Sequence, residues 1–114
     1  MRFVLVITIV LSSFLAFIEG SSAQVGMASF YRSGKFTASG EKFNPGGMTA
    51  AHRTLPFGTK VRVTNVQTGK AVVVRINDRG PFIRGRIIDL AYGAARTVGL
   101  VSTGIAKVRL EILE

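Results

Sequence analysis

Cysteine and tryptophan are absent from this 114-residue chain, and its prolines number only 3. The missing thiols exclude a disulfide framework, a Cys-based zinc site, thiol catalysis and a lipid-modified N-terminal cysteine. One histidine in the whole chain makes a poor transition-metal site, so no metal and no other cofactor is expected. Acid is scarce too: 6 Asp and Glu stand against 15 Lys and Arg, a formal net charge of +9. The 47% hydrophobic content is too high for a disordered chain, and the 13 glycines follow no three-residue period, which excludes collagen-like and low-complexity readings. The length allows one domain.

The first 23 residues differ in kind from the rest. Arg2 is a short basic region, Phe3 to Ile18 is apolar apart from Thr8, Ser12 and Ser13, and Ser21-Ser22-Ala23 offers small residues for cleavage before Gln24. That order is the order of a secretory signal peptide, and the apolar run is shorter than the roughly 20 residues a spanning helix wants. Residues 1–23 are therefore read as a signal peptide and residues 24–114 as one exported domain, periplasmic or secreted, with no membrane anchor after cleavage. The alternative is a retained membrane anchor.

Removing residues 1–23 takes away Arg2 and Glu19, so the charge stays at +9. A field of that sign recruits polyanions. The cations are scattered singly along strand-like segments, without a Lys/Arg block or a nucleic-acid-binding motif, so no nucleic acid partner is expected. An exported basic domain instead meets anionic polymers of the cell envelope. The plainer alternative is charge that keeps a small monomeric domain soluble.

Core candidates lie mostly on strands. Val25 to Tyr31 mixes small and aromatic residues, and Thr59 to Val66 alternates apolar Val61, Val63 and Val66 with polar Lys60, Arg62 and Thr64. Gln67-Thr68-Gly69 predicts a hairpin turn into Lys70 to Asn77, where the run Val72-Val73-Val74 suggests a more central strand. Arg86 to Leu90 reads as a further short strand, Lys107 to Leu113 alternates strictly, and only Ala91 to Val98 reads as helix, stopped by Gly99. About six short strands and one helix in so small a domain imply a closed or nearly closed β-barrel, because closure removes unpaired edges.

Chemistry concentrates in three segments. Thr37-Ala38-Ser39-Gly40-Glu41-Lys42-Phe43 is a small-residue loop with one acid; Met48 to Pro56 holds the sole histidine, His52; Arg75 to Phe82 ends a strand with Asp78 in a turn. Each polar group follows a segment able to hold it rigidly, the layout of a site built on loops over a scaffold.

These segments carry a resemblance. GMASFYRSGKFTASGEKFN, MTAAHRTLPFGTKVRVTN, VVVRINDRGPF and GRIIDLAYGAARTVG, spread in order from Gly26 to Gly99, closely resemble the core domain of the RlpA-like septal-ring lytic transglycosylases. The resemblance extends to Leu110 and implies an all-β, six-stranded double-psi β-barrel with one short helix, shared in outline with expansins and MltA-type transglycosylases. It further implies endolytic cleavage of peptidoglycan glycan strands stripped of stem peptides, releasing 1,6-anhydro-muramyl ends. Members with a lipid anchor and a glycan-binding SPOR domain target the septum; this chain has neither a lipobox cysteine nor residues beyond the expected barrel, so that targeting does not carry over.

The implied reaction suits a chain poor in acid. Ordinary glycosidases need two carboxyl groups. A lytic transglycosylase manages with one, which protonates the glycosidic oxygen and then, as carboxylate, accepts the proton of the sugar's own C6 hydroxyl. Glu41, Asp78 and Asp89 are the acids available outside the signal and the C-terminal strand. By resemblance Asp78 matches a catalytic acid of the family and is the first choice, and Asp89 matches the acid position of the expansin and MltA relatives and is the second. Glu41 and His52 also match functional family positions, as groups that hold substrate, shift the acid or pair with one another. Each has a structural alternative: a turn-forming Asp78 or one paired with Arg79, a helix-capping Asp89, a hydrogen-bonded structural His52.

Phe30, Tyr31, Phe43, Phe57, Phe82 and Tyr92 are candidates for stacking on sugar rings, although Phe in a small barrel is more often core. Tyr31 is the preferred exposed one, with Asn44, Asn77 and Arg79 as hydrogen-bonding partners for glycan. Two functional classes stay open: the transglycosylase, and a non-catalytic expansin-like module that binds wall glycan without cleaving it. A basic adhesive or host-directed secreted protein is a third, without a motif of its own.

Overall fold

The structure, a computed structural model, describes residues 23–113; the expected signal peptide therefore lies almost wholly outside the described residues. Six strands and one helix follow in chain order: β1 (Ala23–Tyr31), β2 (Thr49–Ala51), β3 (Lys60–Asn65), β4 (Ala71–Asp78), β5 (Arg86–Ala91), α1 (Tyr92–Thr97) and β6 (Ala106–Ile112). Around the barrel the order is β1-β5-β2-β4-β3-β6, closed by antiparallel pairing of β6 with β1. Two of the six pairings are parallel, β1 with β5 and β2 with β4.

Alternation along the strands explains the core. Val61 and Val63 of β3, Val74 and Ile76 of β4, Ile88 and Leu90 of β5, and Val108 and Leu110 of β6 point inward and are fully or almost fully buried, with Ala28 and Ala50 filling the crowded positions on β1 and β2. Ala94, Ala95 and Val98, with Leu100 just beyond, add the inner face of the helix to the same cluster. Each fully buried Val, Leu or Ile contributes roughly 1.5–3 kcal/mol by leaving water.

The expected central strand needs a correction. Val73 is 42% exposed while Val74 is buried. In a closed barrel each strand has two neighbours yet still only one face toward the core, so three valines in a row cannot all be buried. The three-residue β2 was not foreseen as a strand, because Met48 to Ala51 shows neither alternation nor β-branched enrichment beyond Thr49. Its place is set by β4 on one side and β5 on the other.

The β3–β4 turn is built by one residue. Asn65, nearly fully buried, accepts from the backbone N–H of Gln67 and Thr68 through Oδ1 (3.0 and 3.3 Å) and donates through Nδ2 to Val98 O at 2.9 Å. Gly69 then supplies a positive φ of 77° that a residue with a Cβ resists. The turn is thereby fastened to the end of α1.

Candidate active site

The chemistry-bearing residues converge on the outer face of β1, β5, β2 and β4. Ala51 of β2 is in register with Asp78 of β4 and with Asp89 of β5, so the two acids flank one short strand. With neighbouring strands ~4.8 Å apart, their backbones are about 10 Å apart. The small Ala51 side chain raises no wall between them.

Asp78 ends β4 with its carboxylate ringed by donors. Oδ1 accepts from Ala38 N at 2.8 Å and Arg79 N at 2.9 Å, and Oδ2 accepts from Tyr31 Oη at 3.1 Å. Tyr31 in turn stacks on Phe43, centroids 4.6 Å apart and planes 14° apart. Burial, followed by the charge and hydrogen bond of Asp78, pushes the Tyr31 phenol well above its ordinary range, so it stays a proton donor to Asp78.

Asp89 has a different setting. It is half-buried on β5, and its one side-chain partner among the described residues is Ser29 Oγ, which donates to Oδ1 at 3.0 Å. Desolvation raises its pKa above the ordinary carboxylate value and the Asp78 charge adds to this; the Ser29 hydrogen bond and Arg86 oppose it. A helix-capping role is not what the residue performs: the N-cap of α1 is Ala91, which has no side-chain capping bond, and Asp89 lies two residues earlier inside the strand.

Glu41 and His52 do not pair. Glu41 is gripped by both guanidinium nitrogens of Arg75, Nη1 to Oε2 at 2.5 Å and Nη2 to Oε1 at 3.0 Å, and accepts from Asn77 Nδ2 at 3.2 Å. Hydrogen bonds from Arg75 and then Asn77 pull its pKa down to about 2. His52 is buried: Nδ1 accepts from the backbone N–H of Thr54 and Leu55 (3.1 and 3.2 Å), leaving Nε2–H to donate to Gln24 Oε1 at 3.2 Å. Two backbone donors, rather than a carboxylate, thus fix the tautomer. Burial, then Arg53 and Arg79, lowers the imidazole pKa below its ordinary value.

Residues 23–110 match the family model of the lytic transglycolase domain. The chain belongs to the RlpA-like family. It is 62% identical over 93 residues to a probable endolytic peptidoglycan transglycosylase RlpA of Nostoc sp., a match covering 77% of this chain and 25% of that protein. The corresponding protein of Pasteurella multocida is 50% identical over 95 residues, covering 81% of this chain and 32% of its own length. The chain therefore spans about a quarter to a third of the length of these curated relatives. In fold it is similar to a Streptomyces papain inhibitor (TM-score 0.67, 19% identity, 81% of this chain and 94% of that one). It is also similar to an expansin of Clavibacter michiganensis (TM-score 0.65, 20% identity, 81% of this chain and 50% of that one). The closed six-stranded barrel with one short helix is the double-psi architecture.

Within this RlpA-like barrel the residues singled out from sequence take distinct places. Asp78 and Asp89 flank Ala51, and Tyr31 reaches Asp78 through its hydroxyl. Arg79 does not ion-pair with Asp78: its guanidinium turns away to donate to the carbonyls of His52 (3.1 Å) and Leu55 (2.8 Å) and lies 4.1 Å from the Phe57 ring centroid. His52 also donates its backbone N–H to Asp78 O at 3.1 Å, so His52 and Arg79 together brace the 52–57 segment beside the acid. Asn77 is buried and spends Nδ2 on Glu41, and its Oδ1 has no partner among the described residues. Asn44 turns back on its own loop, accepting from Gly46 N at 3.0 Å.

Of the aromatic candidates, Phe43 is buried and Phe30 packs on the core, whereas Phe57 and Phe82 are exposed, Phe82 at 78%. Phe36, 71% exposed on the loop over Asp78, went unnoticed in the sequence, as did Ser29, Gln24 and Arg75. Ser29 was findable: it sits two residues before Tyr31, hence on the same face of the strand.

Proposed function

We propose that this domain is an endolytic peptidoglycan lytic transglycosylase acting in the cell envelope on glycan strands, with those stripped of stem peptides preferred. The observation carrying the reading is the asymmetric pair of acids across Ala51, one surrounded by donors and one half-buried with a single partner. The domain model matched over residues 23–110 is that of a lytic transglycolase, and RlpA relatives that contain the matched stretch are named for the activity, which supports it.

The hydrogen-bonding pattern supports the opposite order to the one suggested by sequence. Both Asp78 oxygens are already occupied by donors, while Asp89 retains free lone pairs and a raised pKa, so Asp89 is the better proton carrier. Asp89 delivers its proton to the glycosidic oxygen as the C1–O bond breaks. The resulting carboxylate takes the proton of the C6 hydroxyl as O6 closes on C1, giving the 1,6-anhydro end and restoring the acid. Asp78 supplies fixed negative charge near the oxocarbenium-like centre, held in place by Tyr31, Ala38 and Arg79.

The test is mass spectrometry of naked glycan strands incubated with residues 24–114. Products carrying 1,6-anhydro-muramyl ends are expected. Reducing muramyl ends would make the protein a hydrolase, and retention on glycan without any cleavage would make it an expansin-like binding module.

A further inference from the structure

Arg75 has no part in the chemistry just described, yet it connects to it by a short chain of bonds. It lies on β4 three residues before Asp78 and grips both oxygens of Glu41. Glu41 belongs to a tight hairpin loop, residues 36–43, which is held within itself. Phe36 and Lys42 form an isolated bridge, Thr37 N donates to Glu41 O at 2.8 Å, and Gly40 N donates to Thr37 O at 2.9 Å. These bonds tie the loop into one unit, and the Glu41 side chain anchors it to the barrel at Arg75. Its other attachments are Ser39 N to Asn77 O (3.2 Å), Ala38 N to Asp78 Oδ1 (2.8 Å), and the stack of Phe43 on Tyr31.

We propose that Arg75 is a positioning residue: by seating Glu41 it holds the 36–43 hairpin so that Ala38 N–H and the Phe43-backed Tyr31 hydroxyl fix the Asp78 carboxylate in one orientation. Two features support this beyond adjacency. The grip is bidentate, a geometry the planar guanidinium offers and an ammonium does not. Moreover, Glu41 is ion-paired with its pKa near 2, so at neutral pH it is a lasting anion for Arg75 to hold against β4. The pair is also solvent-exposed, with both side chains 41% accessible, and such pairs add little to global stability. Substituting Arg75 therefore leaves the barrel folded while releasing the hairpin. This inference rests on Asp78 belonging to the reaction site.

The experiment compares wild type with Arg75→Met, Glu41→Gln and the double variant by amide hydrogen exchange, using Val74 N–H as a core reference. Each single variant should raise exchange at Ala38 and Ser39 by about tenfold or more with Val74 unchanged, and the double variant should match the singles because both residues act as one unit. On naked glycan, kcat should fall by about ten- to a hundredfold with KM within about twofold, the mark of misplaced machinery rather than lost binding. Unchanged Ala38 exchange, additive effects, or a raised KM with intact kcat would each overturn the proposal, the last by making Arg75 a glycan contact. If wild type cleaves no glycan, the reaction reading fails, and the exchange data still decide whether the latch exists.

Discussion

Asp78 and Asp89 flank Ala51 on the two strands beside it, and their environments differ in one decisive respect: among the described residues three donors reach the first carboxylate and one side-chain donor reaches the second. Two acids with different settings are suited to different tasks. Asp89→Asn, which keeps shape and removes the proton, should lower kcat on naked glycan by about 10²- to 10⁴-fold, the range for general acid–base groups. Asp78→Asn should cost less, because Asn keeps an oxygen for Ala38 and Arg79. Steady-state kinetics on both variants decides the order, and the opposite ranking would return the proton-carrying role to Asp78.

The same substitution should stabilise the fold at neutral pH. The folded-state pKa of Asp89 lies above its ordinary 3.8, so ionising it is harder in the barrel than in the unfolded chain. Its linkage therefore costs stability above the raised pKa and is relieved below 3.8. Asp89→Asn removes the charge, and Tm at pH 7 should rise by a few degrees, about 4–8 °C for each kcal/mol recovered in a domain this small. A lowered Tm would show that the Ser29 bond to a charged Asp89 stabilises the barrel more than desolvation costs.

Much of the barrel was legible because its strands alternate. Val61 and Val63, or Val108 and Leu110, announce an inward face with no other information, and closure follows from too many strands for too little chain. The β2 strand was not legible: Thr49-Ala50-Ala51 has no periodicity to read, and its strand character comes from lying between β4 and β5. The site divided along the same line. Acids can be picked out individually, but the partner of each is a tertiary fact. Glu41 and His52 lie 11 residues apart with complementary chemistry, yet Arg75 and Gln24 claim them instead. The nearest cation in sequence to Asp78, Arg79, spends its guanidinium on the carbonyls of the 52–57 segment.

The buried imidazole makes stability depend on pH with a predictable sign. His52 is held neutral, Nδ1 facing two backbone N–H donors, and its folded pKa lies below the ordinary 6.5. The unfolded chain therefore binds more protons as pH falls below 6.5, and stability drops from there toward the lowered folded pKa while staying level above it. Asp89 contributes with the opposite sign, so the informative quantity is the difference between wild type and a variant. In His52→Asn, whose Oδ1 can take the place of Nδ1, the acid-side decline in Tm should flatten. An unchanged slope between pH 7 and pH 5 would mean that His52 is not the titrating group.

The barrel wall opposite the site carries its own charge pattern. Lys60 and Arg62 on β3 and Lys107 and Arg109 on β6 all alternate with core residues, point outward and are exposed. The two strands pair with Arg62 opposite Glu111 and Thr64 opposite Arg109, which places the four cations along one diagonal band. Glu111 offsets one of them through a 3.4 Å pair with Arg62; Lys60, Lys107 and Arg109 have no ion-pair partner among the described residues. β3 and β6 are also the two strands that contribute none of Ser29, Tyr31, Ala51, Asp78 or Asp89, so wall attachment and the proposed cleavage should be separable by mutation. Lys107→Glu with Arg109→Glu should weaken retention on crude, polyanion-bearing cell wall and leave kcat on naked glycan near wild type. Raising salt should weaken wild-type retention in the same way, because exposed charges more than about 8 Å apart are screened at physiological ionic strength. Measured by co-sedimentation across a salt series, wild type should show a steeper loss than the double variant. Parallel salt curves for the two proteins would place the attachment at the Asp78–Asp89 face, through stacking and hydrogen bonds, and leave the band as charge that serves solubility.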